Sequence, residues 1–251
     1  MSVSAEEFAA VATGLIDELI QTSLPSIAAA ATIVADSLQT GGVIQVFGTG
    51  HSQAAAMEIA GRAGGLIPTN RIALSDVVTY GGRPSQILAD PILERSPGLA
   101  LELLDLVELA NEDVFVIVSN SGINSTIVDM ALEVTARGFS LIALTSVSHA
   151  DASTSRHESG KHLKDIADVV IDNRAPYGET LLTMLSGDRV CAVSSITTAF
   201  AVQMLVAETV NILESRGIDP PVYVSANVPG GHERNAAIER RYGGRLRRWA
   251  V

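Results

Sequence analysis

Two glycine- and serine-rich turns, each following an apolar run, hold the residues best suited to chemistry. Gly48-Thr49-Gly50-His51-Ser52 follows Val43-Ile44-Gln45-Val46-Phe47, and Ser119-Asn120-Ser121-Gly122-Ile123-Asn124-Ser125 follows Val114-Phe115-Val116-Ile117-Val118. Where a strand hands over to a helix, the first helical turn presents unpaired N–H groups and a partial positive charge, a natural seat for an anion. Glycine lets the backbone approach that anion, and serine hydroxyls add donors. Two such turns on neighbouring parallel strands would converge on one phosphate. Taken singly, each serine reads equally well as an N-cap or turn residue.

Other phosphate motifs fit less well. Gly48-Thr49-Gly50-His51-Ser52-Gln53 matches G-x-G-x-x-G at two of three glycines, with Gln53 in the third place and Asp76 as the acid for a ribose. No G-x-x-x-x-G-K-[ST] occurs, and the chain has only two lysines, Lys161 and Lys164, which excludes a P-loop nucleotidase.

The elements that must position these turns follow from the apolar pattern. Residues 5–38 have helical spacing and read as two helices or one bent at Pro25. Strands are predicted at 43–47, 71–75, 114–118, 139–144 and 169–172, with helices at 52–63, 99–109, 126–137 and 188–214. The segment 151–164 reads as a short helix and loop, and 77–97 and 173–187 are irregular. Strands alternating with helices imply an α/β fold with a five-stranded parallel sheet flanked by helices, its ligand beyond the strands' C-terminal ends. The organisation is an N-terminal helical segment (1–40), a ligand-binding domain (41–217) and a C-terminal tail (218–251), forming one structural unit.

At 251 residues the chain can bury a large core, and 47% apolar with 4% aromatic residues implies a core of Ala, Val, Ile and Leu. A net charge of −11 disfavours nonspecific binding to nucleic acid or to an anionic membrane, though a nest of amides can still hold an anion. The acidic start lacks a basic n-region, and the apolar stretch 190–210 is broken by polar residues, so it reads as a core helix. A cytoplasmic protein without a membrane partner is expected. The single cysteine, Cys191, reads as a small buried residue of that helix. His157 and His162 are poorly spaced for helical ligation, so no metal is assigned. Tyr80-Gly81-Gly82-Arg83 and Pro176-Tyr177-Gly178-Glu179 could form a lid over a ligand, or plain surface loops.

In order and interval, Gly48-Thr49-Gly50-His51-Ser52, Ser119-Asn120-Ser121-Gly122 and Thr145-Ser146 resemble the phosphosugar-binding signature of the SIS (sugar isomerase) domain family. The resemblance spans about 28–217, and its nearest group, similar to phosphoheptose isomerase, shares the tail motif Asn227-Val228-Pro229-Gly230-Gly231. It implies a flavodoxin-like three-layer fold and phosphate or substrate contacts at Gly50, His51, Ser52, Ser119, Asn120, Ser121, Asn124, Ser125, Thr145 and Ser146. Family isomerases use a glutamate on the helix after the first turn and a histidine often donated by a neighbouring subunit. Glu58 is the only acid on that helix, about one turn earlier than the glutamate of phosphoheptose isomerase; it could instead pair with Arg62. His232, beside Glu233 after Pro229-Gly230-Gly231, is the candidate acid, in its own or a neighbouring subunit's site, unless it is a plain surface histidine.

The resemblance thus implies an aldose–ketose sugar-phosphate isomerase working through an enediol(ate) without a cofactor, as a homodimer or homotetramer. An amino-sugar-phosphate etherase or deaminase and a non-catalytic phosphosugar sensor are the alternatives. The tail arginines Arg234, Arg240, Arg241, Arg245, Arg247 and Arg248 are expected to pair with an acidic partner-subunit surface or with substrate.

Overall fold

The computed structural model describes residues 3–247. Its first element, α1 (Ala5–Gln39), is capped by Ser4, whose hydroxyl accepts from the Glu7 amide at 3.1 Å. The helix runs through Pro25 without a break, where the sequence had left two helices or a bend open. Pro25 is exposed, so the carbonyl that loses its helical donor there is open to water.

The sheet is formed by β1 (Ile44–Gly48), β2 (Thr69–Ile72), β3 (Val114–Val118), β4 (Ser140–Thr145) and β5 (Val169–Asp172), all parallel, in the order β2-β1-β3-β4-β5. Every residue of β1 and β3 is buried, as in a strand covered by helices on both faces. On one face Ile44, Val46, Val116 and Leu144 pack under α1, α2 (Gln53–Ile59) and α7 (Ser194–Ser215). On the other, Phe47, Phe115, Ile117 and Leu141 pack under α4 (Leu99–Asp105) and α5 (Ser125–Ala136). Helices α1 and α7 are long and apolar enough to cross a membrane by composition alone, yet both supply residues to the core beside the sheet. Short helices α3 (Asp76–Thr79) and α6 (Val147–Asp151) follow β2 and β4.

Three expectations need correction. The stretch 173–187 is not wholly irregular: β6 (Thr180–Thr183) and β7 (Arg189–Ala192) form an antiparallel hairpin, and the long helix begins at Ser194 rather than at 188. Cys191 therefore lies in β7, half-buried, with φ of 67°, and not within a buried helix. The third concerns the tail.

The tail contains α8 (Gly231–Glu239) and straps the β2 edge. Backbone bonds join Gly64 N to Tyr223 O (2.8 Å) and Tyr223 N to Gly65 O (2.9 Å), and Ile238 packs with Ile67 and Tyr223. The side chain of Asn70 acts as a backbone substitute, donating to Arg245 O at 2.8 Å and accepting from Arg247 N at 2.7 Å. Arg245 pairs with buried Asp113, and Arg247 lies 3.7 Å from buried Asp76 with its guanidinium 4.2 Å above the Tyr80 ring centre. These two arginines are thus paired within the chain, where the sequence suggested a partner or substrate; Arg248 lies outside the described residues. Burial raises the pKa of Asp76, against the Ala73 amide it accepts from and the cations Arg247 and Arg71.

Candidate functional site

The two turns lie side by side because β1 and β3 are hydrogen-bonded neighbours, Gly48 opposite Val118. After β1 the chain doubles back so tightly that a Cβ on Gly48 would sit 2.8 Å from the carbonyl oxygen of Ser52. Gly50 takes φ of +54° and starts a single 3-10 turn, 50–52, that leads into α2. After β3, the Ser119 hydroxyl accepts from the Gly122 amide at 3.1 Å, closing a turn in which Gly122 has φ of +65°. A Cβ there would lie 3.1 Å from that of Leu163, so glycine suits the position in both conformation and space.

Between the turns is a cleft of about 180 Å³. Gly50, His51, Ser52, Ser119, Asn120, Ser121 and Asn124 all line it. Seven of the sequence candidates are therefore brought together, and the hydroxyls of Ser52 and Ser121 make no hydrogen bond among the described residues. No Lys or Arg stands among the described lining residues, so any anion held here would be held by hydroxyls, amides and His51.

Three hydroxyls predicted for the site are used elsewhere. Thr145 donates to Asn120 O at 3.2 Å, Ser146 donates to Ala175 O at 2.5 Å while capping α6 through His149 N, and Ser125 donates to Arg156 O at 3.3 Å. Each bond supports the loops around the cleft without reaching into it.

The two predicted catalytic residues also lie outside the cleft of this chain. Glu58 projects from the outer side of α2, paired with Arg62 and accepting from Gln203 Nε2 at 2.6 Å, in a shallow depression with Ala54, Met57 and Ala63. Its helix is short and turns only Ala55, Ala56 and Ile59 inward. His232 is exposed in the first turn of α8 and lines no cavity described. His157 and His162 serve the loop after α6: His157 bridges Asp129 (2.8 Å) and Ser159 (2.7 Å), and His162 bonds Ser153 O at 2.9 Å.

The carboxylates that do line the cleft are Glu94 and Glu179, from the two segments read as irregular. Glu94 accepts from Asn124 Nδ2 at 2.8 Å, and Asn124 in turn accepts from Arg156 at 2.7 Å. Asn124 is the N-cap residue of α5 but makes no side-chain cap bond, its amide being committed to Glu94 and Arg156. Glu179 accepts from Ser194 Oγ at 2.6 Å and stands at φ of 66°. Such a left-handed conformation costs an L-residue about 1–2 kcal/mol. Of Pro176-Tyr177-Gly178-Glu179, the second segment that could form a lid, Glu179 is the residue at the cleft. Tyr80 and Arg83 are engaged instead by Arg247 and Glu102.

Asn173, Ser194 and Thr198 complete the far wall. No local signal marked them, since their place depends on β5 and α7 closing over β3.

Comparison with known proteins agrees with this architecture. The family model for the SIS domain matches residues 7–146. A UPF0309 protein of Streptomyces avermitilis is 39% identical over 243 residues, covering 96% of both chains. One from Listeria monocytogenes is 38% identical over 237 residues, covering 92% of this chain and 94% of its own. Among solved structures, a phosphoheptose isomerase from Francisella tularensis superposes with a TM-score of 0.55 at 18% identity, over 81% of this chain and 95% of its own. At that identity the likeness is one of fold.

Proposed function

The chain belongs to the SIS domain family, and from that premise we propose that it binds a phosphosugar and interconverts its aldose and ketose forms through an enediol(ate). One observation carries the reading: Ser52, Ser119 and Ser121, from adjacent strand ends, face a single cleft that also holds two carboxylates. The hydroxyls and the amides of the two turns grip the phosphate and hold the open-chain sugar in register. The Glu179 carboxylate, fixed by Ser194, takes the proton from C2 of the aldose and returns it to C1. Glu94, fixed by Asn124, moves the second proton between O1 and O2, so atoms balance without any other reactant. The left-handed backbone of Glu179, whose amide closes the turn onto Pro176 O at 2.9 Å and whose carbonyl accepts from Val193 N at 2.9 Å, fixes the base of the side chain at the cleft and supports its choice as the catalytic base.

Assembly of two or more copies goes with this reading. It is supported by exposed Ile20 and Leu24 on α1, Met57 on α2 and Ile196 on α7.

A thermal-shift screen of sugar phosphates, with NMR of the hits in deuterated water, tests the proposal. A stabilising ligand that gains deuterium at C1 or C2 is the expected result. A tight ligand with no exchange would replace the isomerase with a sensor, and a screen without hits would remove the phosphosugar as well.

A further inference from the structure

Behind the cleft lies a chain of buried amides whose direction is set at one end. The backbone N–H of Ala175 can only donate, and it donates to Asn173 Oδ1 at 3.0 Å. The other end of that side chain is therefore its NH₂, which donates to Asn120 Oδ1 at 3.0 Å and to Thr198 Oγ1 at 2.9 Å. Asn120 must then present its own NH₂ to His149 Nδ1, 3.0 Å away, so that this nitrogen accepts and the imidazole proton sits on Nε2.

The consequence falls on Thr198. Its hydroxyl oxygen already accepts from Asn173, so its proton points elsewhere. Thr22, Thr32, Thr135, Thr197 and Thr209 all donate to the carbonyl four residues back in their helices; Thr198 makes no such bond. It is only 4% exposed, yet it lines the cleft opposite the two turns. We propose that Thr198 is a ligand-binding residue, its hydroxyl donating to an oxygen of the bound sugar phosphate, with the Asn173–Asn120–His149 chain holding that hydroxyl in the donating direction. The inference rests on the phosphosugar reading for its ligand, but the direction of the chain does not.

The experiment has two arms. In the first, isothermal titration of the full-length protein with fructose 6-phosphate, arabinose 5-phosphate and inorganic phosphate is repeated on Thr198→Val and Thr198→Ser. Thr198→Val should weaken the bound sugar phosphate about fivefold to tenfold, the effect of one lost hydrogen bond, and Thr198→Ser should restore it. Unchanged affinity in Thr198→Val overturns the proposal, as does an equal loss in Thr198→Ser. In the second arm, ¹⁵N NMR of the wild-type imidazoles near neutral pH should find His149 protonated at Nε2 and bare at Nδ1. The opposite tautomer overturns the proposal without any ligand. If the wild type binds none of the probes while His149 has the expected tautomer, it is the phosphosugar reading that has failed, and the ligand role of Thr198 falls with it.

Discussion

Replacing Arg245 by Ala should cost more stability than its position near the end of the chain suggests. The Asp113 side chain is fully buried, and its carboxylate ties together the N-terminal ends of β1 and β3. It accepts from Val43 N at 2.9 Å, Gln45 Nε2 at 3.0 Å and Ala110 N at 3.3 Å, and Arg245 supplies its only opposite charge among the described residues. Breaking a buried pair from one side costs about 3–5 kcal/mol. Three N–H donors remain on the anion and the departing tail admits water, so the lower end of that range, about 3 kcal/mol, is expected. For a chain of this size that is roughly 6–12 °C in Tm. Urea unfolding of wild type, Arg245→Ala, Asp113→Asn and the double variant measures it. In the Asp113→Asn background the arginine should be worth less than about 1 kcal/mol, because no buried charge is left to compensate. A loss below about 0.5 kcal/mol in the single variant, or the same loss in both backgrounds, would refute the reasoning and make the strap a passive tail.

Four further outcomes are expected. Glu179→Gln keeps the oxygen that accepts from Ser194 but removes the base, so turnover of any substrate found should fall by about 10²- to 10⁴-fold, whereas Glu58→Gln should stay within about twofold because it faces away from the cleft. Combined Ser52→Ala and Ser121→Ala substitution should abolish stabilisation by sugar phosphates in a thermal-shift assay while leaving the ligand-free Tm nearly unchanged, since neither hydroxyl is bonded among the described residues. Light scattering should find more than one copy per particle, and Leu24→Lys with Ile196→Lys should reduce it to a single copy if α1 and α7 form the contact. Asp76, with its pKa raised by burial, holds its proton more tightly folded than unfolded, so its contribution to stability is complete below the ordinary value of 3.8 and declines as pH rises through the raised one; Asp76→Asn should flatten that decline in the pH dependence of urea unfolding.

How much of this was legible beforehand depended on how local each signal was. The five strands were readable because each is an apolar run ended by glycine or a polar turn, and the two phosphate turns because glycine and serine at a strand end act within a few residues of themselves. The hairpin was missed although Ser186-Gly187 separates Thr180–Thr183 from Arg189–Ala192, a recognisable turn; the apolar residues that follow drew the helix too far forward. Helix α8 was hidden by a sequence that is polar on most sides. Thr145 and Ser146 have the same chemistry as Ser121, and only the surrounding loops decide which hydroxyl supports and which faces the cleft. Glu94 and Glu179 depend on tertiary closure, whereas Glu58 follows from being the only acid on the helix after the first turn, which does not say which side it faces.

The packing of α1 against α7 also bears on how the protein is made. The first helix is complete at Gln39, and the helix that covers it does not begin until Ser194. At about 5–20 residues per second, a ribosome needs roughly 8–30 s to make the intervening stretch. For that time the strands of the sheet, made earlier, can take one side of α1, but the side that α7 covers stays open. Early chaperone engagement of this segment, and aggregation of truncated translation products ending before α7, are the cost of placing the two halves of one contact at opposite ends of the message.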